Sequence, residues 1–141
     1  MFDLSVGEGT PPVVTTQTTV WDAARCVPSD EAHCLERGRF RVVAHWRDFQ
    51  SREGDARTLP TTLDDTGLFW FFNEDNVELT VKVLNGCDVT GNFWVFISSG
   101  STVEYEIEVT DTKTGARRTY DNDLGEIPEL IADTSAFATC P

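Results

Sequence analysis

Positive charge is scarce in this chain: 11 Lys and Arg stand against 24 Asp and Glu, a formal net charge of −13 over 141 residues. A field of that sign repels phosphate backbones and anionic membrane surfaces, which argues against nucleic acid as a partner. Long hydrophobic runs are missing too, since no stretch approaches the roughly 20 apolar residues that span a bilayer, and no membrane insertion is expected. Histidine and methionine are rare, two and one respectively. His33 and His45 stand in no HExxH or His-x-His spacing, and no GxSxG occurs, so the common zinc-protease and serine-hydrolase signatures are absent. Paired carboxylates are too plentiful in so acidic a chain to single out a glycosidase pair. The expectation is a protein that is not an enzyme.

What the chain does have is apolar and aromatic content, 40% and 11% of residues. That is too apolar for a disordered chain and enough for one domain with a real core. Residues 1–25 open with a Gly/Glu start, a Pro pair and a Thr-rich tract, the composition of a linker or a loosely docked strand. The domain itself is expected over 26–141. From Arg37 to Phe49 the pattern has period two, with Phe40, Val42, Ala44 and Trp46 on one face and Arg39, Arg41, His45 and Arg47 on the other. The same alternation runs through Val77, Leu79, Val81 and Val83, and again through Val103, Tyr105, Ile107 and Val109. Leu68–Phe72, Phe93–Ile97 and Ala116–Tyr120 read as further strands, the last joined to its predecessor by the Gly-ended loop DTKTG. A polar loop separates the first strand from Leu68, and a weak helical pattern shows only near Ile127–Ala132. Six or seven short strands predict an all-β antiparallel sandwich, immunoglobulin-like or jelly-roll-like.

Four cysteines, Cys26, Cys34, Cys87 and Cys140, in a small acidic chain point to structural disulfides and an oxidising, extracellular or cell-surface location. Four cysteines allow three connectivities; the expected one is 26–34 with 87–140, because it closes one local loop and needs no crossing. The first ten residues lack the basic and apolar regions of a signal peptide. On this reading Met1 opens an excised fragment of a longer exported protein.

The runs GRFRV, DDTGLFWFF, NFWVF, VEYEIEVTDTKTG and DTSAFATCP resemble a recurrent module attached to varied exported proteins of environmental bacteria. The likeness covers roughly Cys26 to Pro141. It implies an extracytoplasmic accessory domain and carries no activity or catalytic residue with it.

Candidate sites follow from residues that the strand pattern leaves without a place. Phe69-Trp70-Phe71-Phe72 and Phe93-Trp94-Val95-Phe96 put aromatics on both faces of a strand. If one set fills the core, Trp70, Phe72, Trp94 and Phe96 need another cover: a loop, a neighbouring protein domain, or a sugar ring stacked on an indole. Trp46, Trp70, Phe72 and Trp94 are therefore the candidate ligand-binding residues. Asp121, Asn122 and Asp123 have the spacing of a short Ca²⁺ loop without the rest of an EF-hand, and turn-forming is the plainer role. Asp64-Asp65 and Asn73–Asn76 offer hard oxygen ligands too, but at opposite ends of one strand. No other cofactor is implied. Function at this stage is a non-catalytic binding or accessory module with glycan as the leading ligand. The alternatives are a structural or self-assembling surface domain, or an extracellular protease inhibitor, for which no reactive loop is recognisable.

Overall fold

The computed structural model describes residues 26–141; the linker or docked strand expected over 1–25 lies outside the described residues. Ten strands follow in order: β1 (His33–Leu35), β2 (Phe40–Arg47), β3 (Glu53–Asp55), β4 (Arg57–Leu59), β5 (Thr66–Trp70), β6 (Leu79–Gly86), β7 (Asn92–Ser99), β8 (Glu104–Asp111), β9 (Arg117–Asn122) and β10 (Ile131–Phe137). They build two antiparallel five-stranded sheets. The first runs β1-β2-β8-β9 with β3 also paired to β2, and the second runs β10-β7-β6-β5-β4.

Period-two alternation decides which faces meet. β2 pairs with β8 along its whole length, Phe40 opposite Asp111 through Arg47 opposite Glu104. Val42, Ala44, Ile107 and Val109 thereby share an inner face with the arginines and glutamates left outside. In the second sheet Leu79, Val81, Val83, Val95 and Phe69 are buried in the same way. Phe40, on the first sheet, lies 4.9 Å from Phe93 and 5.1 Å from Phe137, both on the second, so aromatic packing joins the layers. His33 closes one side. Its ring meets Phe69 edge-on at 4.9 Å and its Nε2 donates to the Leu68 carbonyl at 2.7 Å, while burial pushes its pKa down. The pairing Cys26–Cys34 and Cys87–Cys140 holds as expected, with no free cysteine.

Four expectations change. Val77 is 43% exposed, and Glu78 is buried in its place. The ladder starts only at Leu79, opposite Ser99 and Phe69, so Val77 is not bound to its alternation. Glu78 instead donates its N–H to Phe69, accepts from Gly100 through its carbonyl and holds Asn76 Nδ2 with its carboxylate at 3.0 Å. The polar loop after β2 contains β3 and β4, three-residue strands too short to show a period. Between them fully buried Ala56 carries the chain from the first sheet to the second. The weak helical pattern near Ile127 gives way to β10, because β7 offers Ile97 and Phe96 as partners to Ile131 and Ala132.

The fourth concerns Arg39, which leaves its polar stripe. Its guanidinium grips Asp111 with two bonds of 2.9 Å, and Asp111 is fully buried. The same group donates to the Thr139 and Pro141 carbonyls and lies 4.5 Å over the Phe93 ring. Burial acts to raise the Asp111 pKa, but hydrogen bonds from Arg39 and Thr139 prevail and hold it below the usual carboxylate range. Below the ordinary carboxylate pKa the pair's contribution therefore falls as pH drops through the folded value.

Arg39→Ala, which strands a buried carboxylate, should cost about 3–5 kcal/mol in urea unfolding at neutral pH, and Asp111→Asn added to it should recover part of that loss. Opening Cys87–Cys140, which links positions 53 apart, should cost about 4 kcal/mol by chain entropy, read as the midpoint shift of a Cys87→Ser/Cys140→Ser variant.

Candidate binding surfaces

The four aromatics singled out in the sequence fall into two groups. Trp94 and Trp70 stand on the outer face of the second sheet; Trp46 and Phe72 meet at one end of the sandwich. On the outer face, antiparallel pairing sets Leu84 opposite Trp94, Lys82 opposite Phe96 and Thr80 opposite Ser98. All six side chains point away from the core, since the positions that alternate with them, Leu79, Val81 and Val83 in β6 and Phe93, Val95 and Ile97 in β7, are buried. Gly86 belongs to the same row, two residues beyond Leu84. A Cβ at Gly86 would fall within the Trp94 indole, so glycine is what lets the indole lie on the strand. Trp94 Nε1 donates to the Thr90 hydroxyl at 2.7 Å and fixes the ring in place. Phe96 meets Trp94 edge-on with centroids 6.2 Å apart. A hollow of about 410 Å³ beside them is lined chiefly by Thr80, Lys82, Leu84, Phe96, Ser98 and Leu130.

Trp70 stands on the neighbouring strand of this face, with the Arg57 guanidinium 6.0 Å over its ring. Both indoles are half-buried, and so is Phe96. Leu84 and Lys82 were not singled out from the sequence, and Phe96, named there as an aromatic in need of cover, was not among the candidate ligand-binding residues. The signal was present, since all three are outward positions of alternating strands, but the pairing that brings them beside Trp94 appears only in the sheet.

Trp46 is part of the core wall. It stacks on Phe71 at 6.1 Å and meets Phe72 edge-on at 4.7 Å, and its Nε1 is buried without a partner. Phe72 is 47% exposed. The cover that the sequence called for over Phe72 is thus incomplete among the described residues.

The Asp121, Asn122, Asp123 trio does not converge. Asp121 faces outward from β9 opposite Glu106, whereas Asn122 turns inward and is buried. The Asn122 amide nitrogen is engaged within the fold, donating to the Val103, Asp123 and Glu126 carbonyls at 3.1–3.2 Å. Among the described residues no group of three or more His, Cys, Asp or Glu side chains is placed to hold a metal ion. The acidic loops flanking β5 lie at its two ends, as the strand length requires. Both are used by the fold: Asn73 Oδ1 accepts from Asp75 N at 2.8 Å, Asp64 Oδ1 from Arg37 N at 2.9 Å and Asp65 Oδ1 from the Thr66 hydroxyl at 2.8 Å.

The outer face of the first sheet is charged. The arginine and glutamate stripes are neighbours, with Arg47 opposite Glu104 and His45 opposite Glu106. His45 is bracketed by carboxylates, Glu53 on Nε2 at 2.8 Å and Asp55 on Nδ1 at 3.2 Å. These bonds, first that of Glu53 and then that of Asp55, raise the His45 pKa. With both ring nitrogens facing carboxylate oxygens, the imidazolium is the form the site prefers. Glu53 is lowered in turn, chiefly by its bond to His45. No protein-family model, curated protein or solved structure matches this chain.

Because the folded His45 pKa lies above its unfolded value, its stabilising contribution is fully present below the unfolded pKa and is lost as pH rises through the folded one. An NMR titration should place the His45 midpoint above 6.5. Glu53→Gln should bring it back down, and an unshifted midpoint in that variant would show the bracket to be inert.

Proposed function

We propose that the domain is a non-catalytic binding module of an exported protein and that the outer face of its second sheet takes a glycan. The observation that carries this reading is the Trp94 indole laid along Gly86, locked by Thr90, beside a hollow that mixes Phe96 and Leu84 with Thr80, Ser98 and Lys82. A pyranose ring has one apolar C–H face and a rim of hydroxyls. An immobilised indole matches the first, and short hydroxyl side chains with one ammonium match the second. The platform loses little conformational freedom on binding because its ring is already fixed. Two disulfides fit an oxidising, extracellular-type environment. No described helix is long and apolar enough to cross a membrane. The alternative, a structural domain that hides the same aromatics against neighbouring protein, is an outcome of the test below.

A panel of soluble polysaccharides titrated by calorimetry should give saturable binding that Trp94→Ala weakens by about tenfold or more. Lys82→Ala, at an exposed position, should weaken it with the melting temperature unchanged. If no polysaccharide binds, or if Trp94→Ala leaves the affinity untouched, the surface is not a glycan site and the structural-domain reading replaces it.

A further inference from the structure

The two ends of the sandwich are unlike. One end carries the loops β2–β3 (48–52), β5–β6 (71–78), β7–β8 (100–103) and β9–β10 (123–130). The other carries loops 36–39, 60–65, 87–91 and 112–116 and the tail 138–141, with the Cys87–Cys140 disulfide. Among the described residues nine large hydrophobic side chains are exposed, and six of them, Phe49, Phe72, Val77, Leu124, Ile127 and Leu130, belong to the first end. Ile127 is 82% exposed and Phe49 62%. Exposed apolar residues scattered singly are ordinary; a concentration on one end is not.

Charge divides in the same way. The loops of the first end carry seven carboxylates and one basic side chain, Arg52, whose Nε is tied to Asp48 at 2.7 Å. The loops of the other end carry four carboxylates and three basic side chains. The acidity of the first end is therefore local and exceeds what the acidic composition spreads elsewhere.

These loops are also held in shape. The Asp48 carboxylate accepts the Gln50 and Arg52 N–H groups at 2.9 Å, and Gly125 N donates to the Thr102 carbonyl at 2.8 Å. The Asn122 amide described above bridges the β7–β8 and β9–β10 loops. Phe49 lies 3.8 Å from the place where Gly125 would carry a Cβ, and it shares a hollow of about 290 Å³ with Phe72. Loops fixed before binding spare the ordering cost that mobile ones incur.

We propose that this end docks a basic, amphipathic segment of another protein. Its apolar side chains seat among Phe49, Phe72, Leu124 and Ile127, and its Lys or Arg side chains meet Glu74, Asp75, Asp123 and Glu126. Charge selects the occupant. A second copy of this chain would set the same acidic loops against each other, and nucleic acid or an anionic lipid surface would be repelled. A basic segment gains steering from the loops and contact from the apolar patch.

The test uses the full chain and three synthetic peptides of equal length: Lys with Leu at helical spacing, Glu with Leu at the same spacing, and Lys with Ser. The Lys/Leu peptide should bind saturably, more weakly as salt rises, and should shift amide resonances of the 48–52 and 123–130 loops; the other two should not. Phe49→Ser/Ile127→Ser and Asp123→Lys/Glu126→Lys should each weaken binding by about tenfold. Ile127→Ser alone, at so exposed a site, keeps the test valid if the double variant fails to fold. Val89→Ser and Asp88→Lys, at the opposite end, should leave affinity unchanged. The proposal is overturned if the Lys/Leu peptide does not saturate, if either control peptide binds as well, or if the opposite-end variants weaken binding equally. It is also overturned if sedimentation shows a dimer that Ile127→Ser dissolves.

Discussion

The contact on which much of this domain hangs is the pair Arg39–Asp111. A fully buried carboxylate is costly unless it is paired and hydrogen-bonded, and here one guanidinium satisfies it with two bonds. The remaining guanidinium donors reach the Thr139 and Pro141 carbonyls, and its face covers Phe93. Asp111 ends β8, Phe93 lies one residue after the start of β7, and Cys140 sits between the two carbonyls, so one side chain ties the first sheet, the second sheet and the C-terminal tail. The Cys87–Cys140 disulfide acts on the same corner from outside. Covalent and ionic restraints thus secure the end of the sandwich opposite the apolar, acidic loops.

That division of labour follows from what each end contains. The clamped end has mixed charge and few exposed apolar groups, which suits an end built for stability. The opposite loops are shaped by side chain to backbone hydrogen bonds from Asp48, Asn73 and Asn122. Those bonds hold loops without a covalent link and leave their apolar tips outward. The second sheet adds a further asymmetry. A strand with aromatics at consecutive positions must place some outside, and in β7 the outward pair Trp94 and Phe96 falls beside Leu84 and Gly86 of β6. The apolar outer face is a consequence of pairing, and the glycine is what turns a crowded position into a seat for the indole.

Much of the fold was readable because period-two alternation is a local signal. The β2 and β8 patterns, their complementary outer charges and most of their inward sets follow from residues within eight positions of each other. Elements shorter than one full alternation were not readable. β1, β3 and β4 have three residues each and owe their existence to an edge offered by β2 or β5, and β10 to one offered by β7. Val77 was misassigned because alternation extrapolates past the point where the ladder begins. Arg39 was misassigned because a long side chain bends away from the face its Cα dictates, once a buried carboxylate and two tail carbonyls lie within reach.

For the candidate surfaces the same boundary holds. The chain by itself determined that it would be all-β, acidic, joined by disulfides, and supplied with more aromatics than one strand face can bury, because each of these depends on composition or on near neighbours along the chain. Only the tertiary structure decided that Trp46 and Phe72 part company with Trp70 and Trp94, that Asp121 and Asn122 face opposite ways, and that six exposed apolar side chains gather at one acidic end. Those outcomes depend on which strands pair and where loops end, and register couples residues tens of positions apart that no local pattern links.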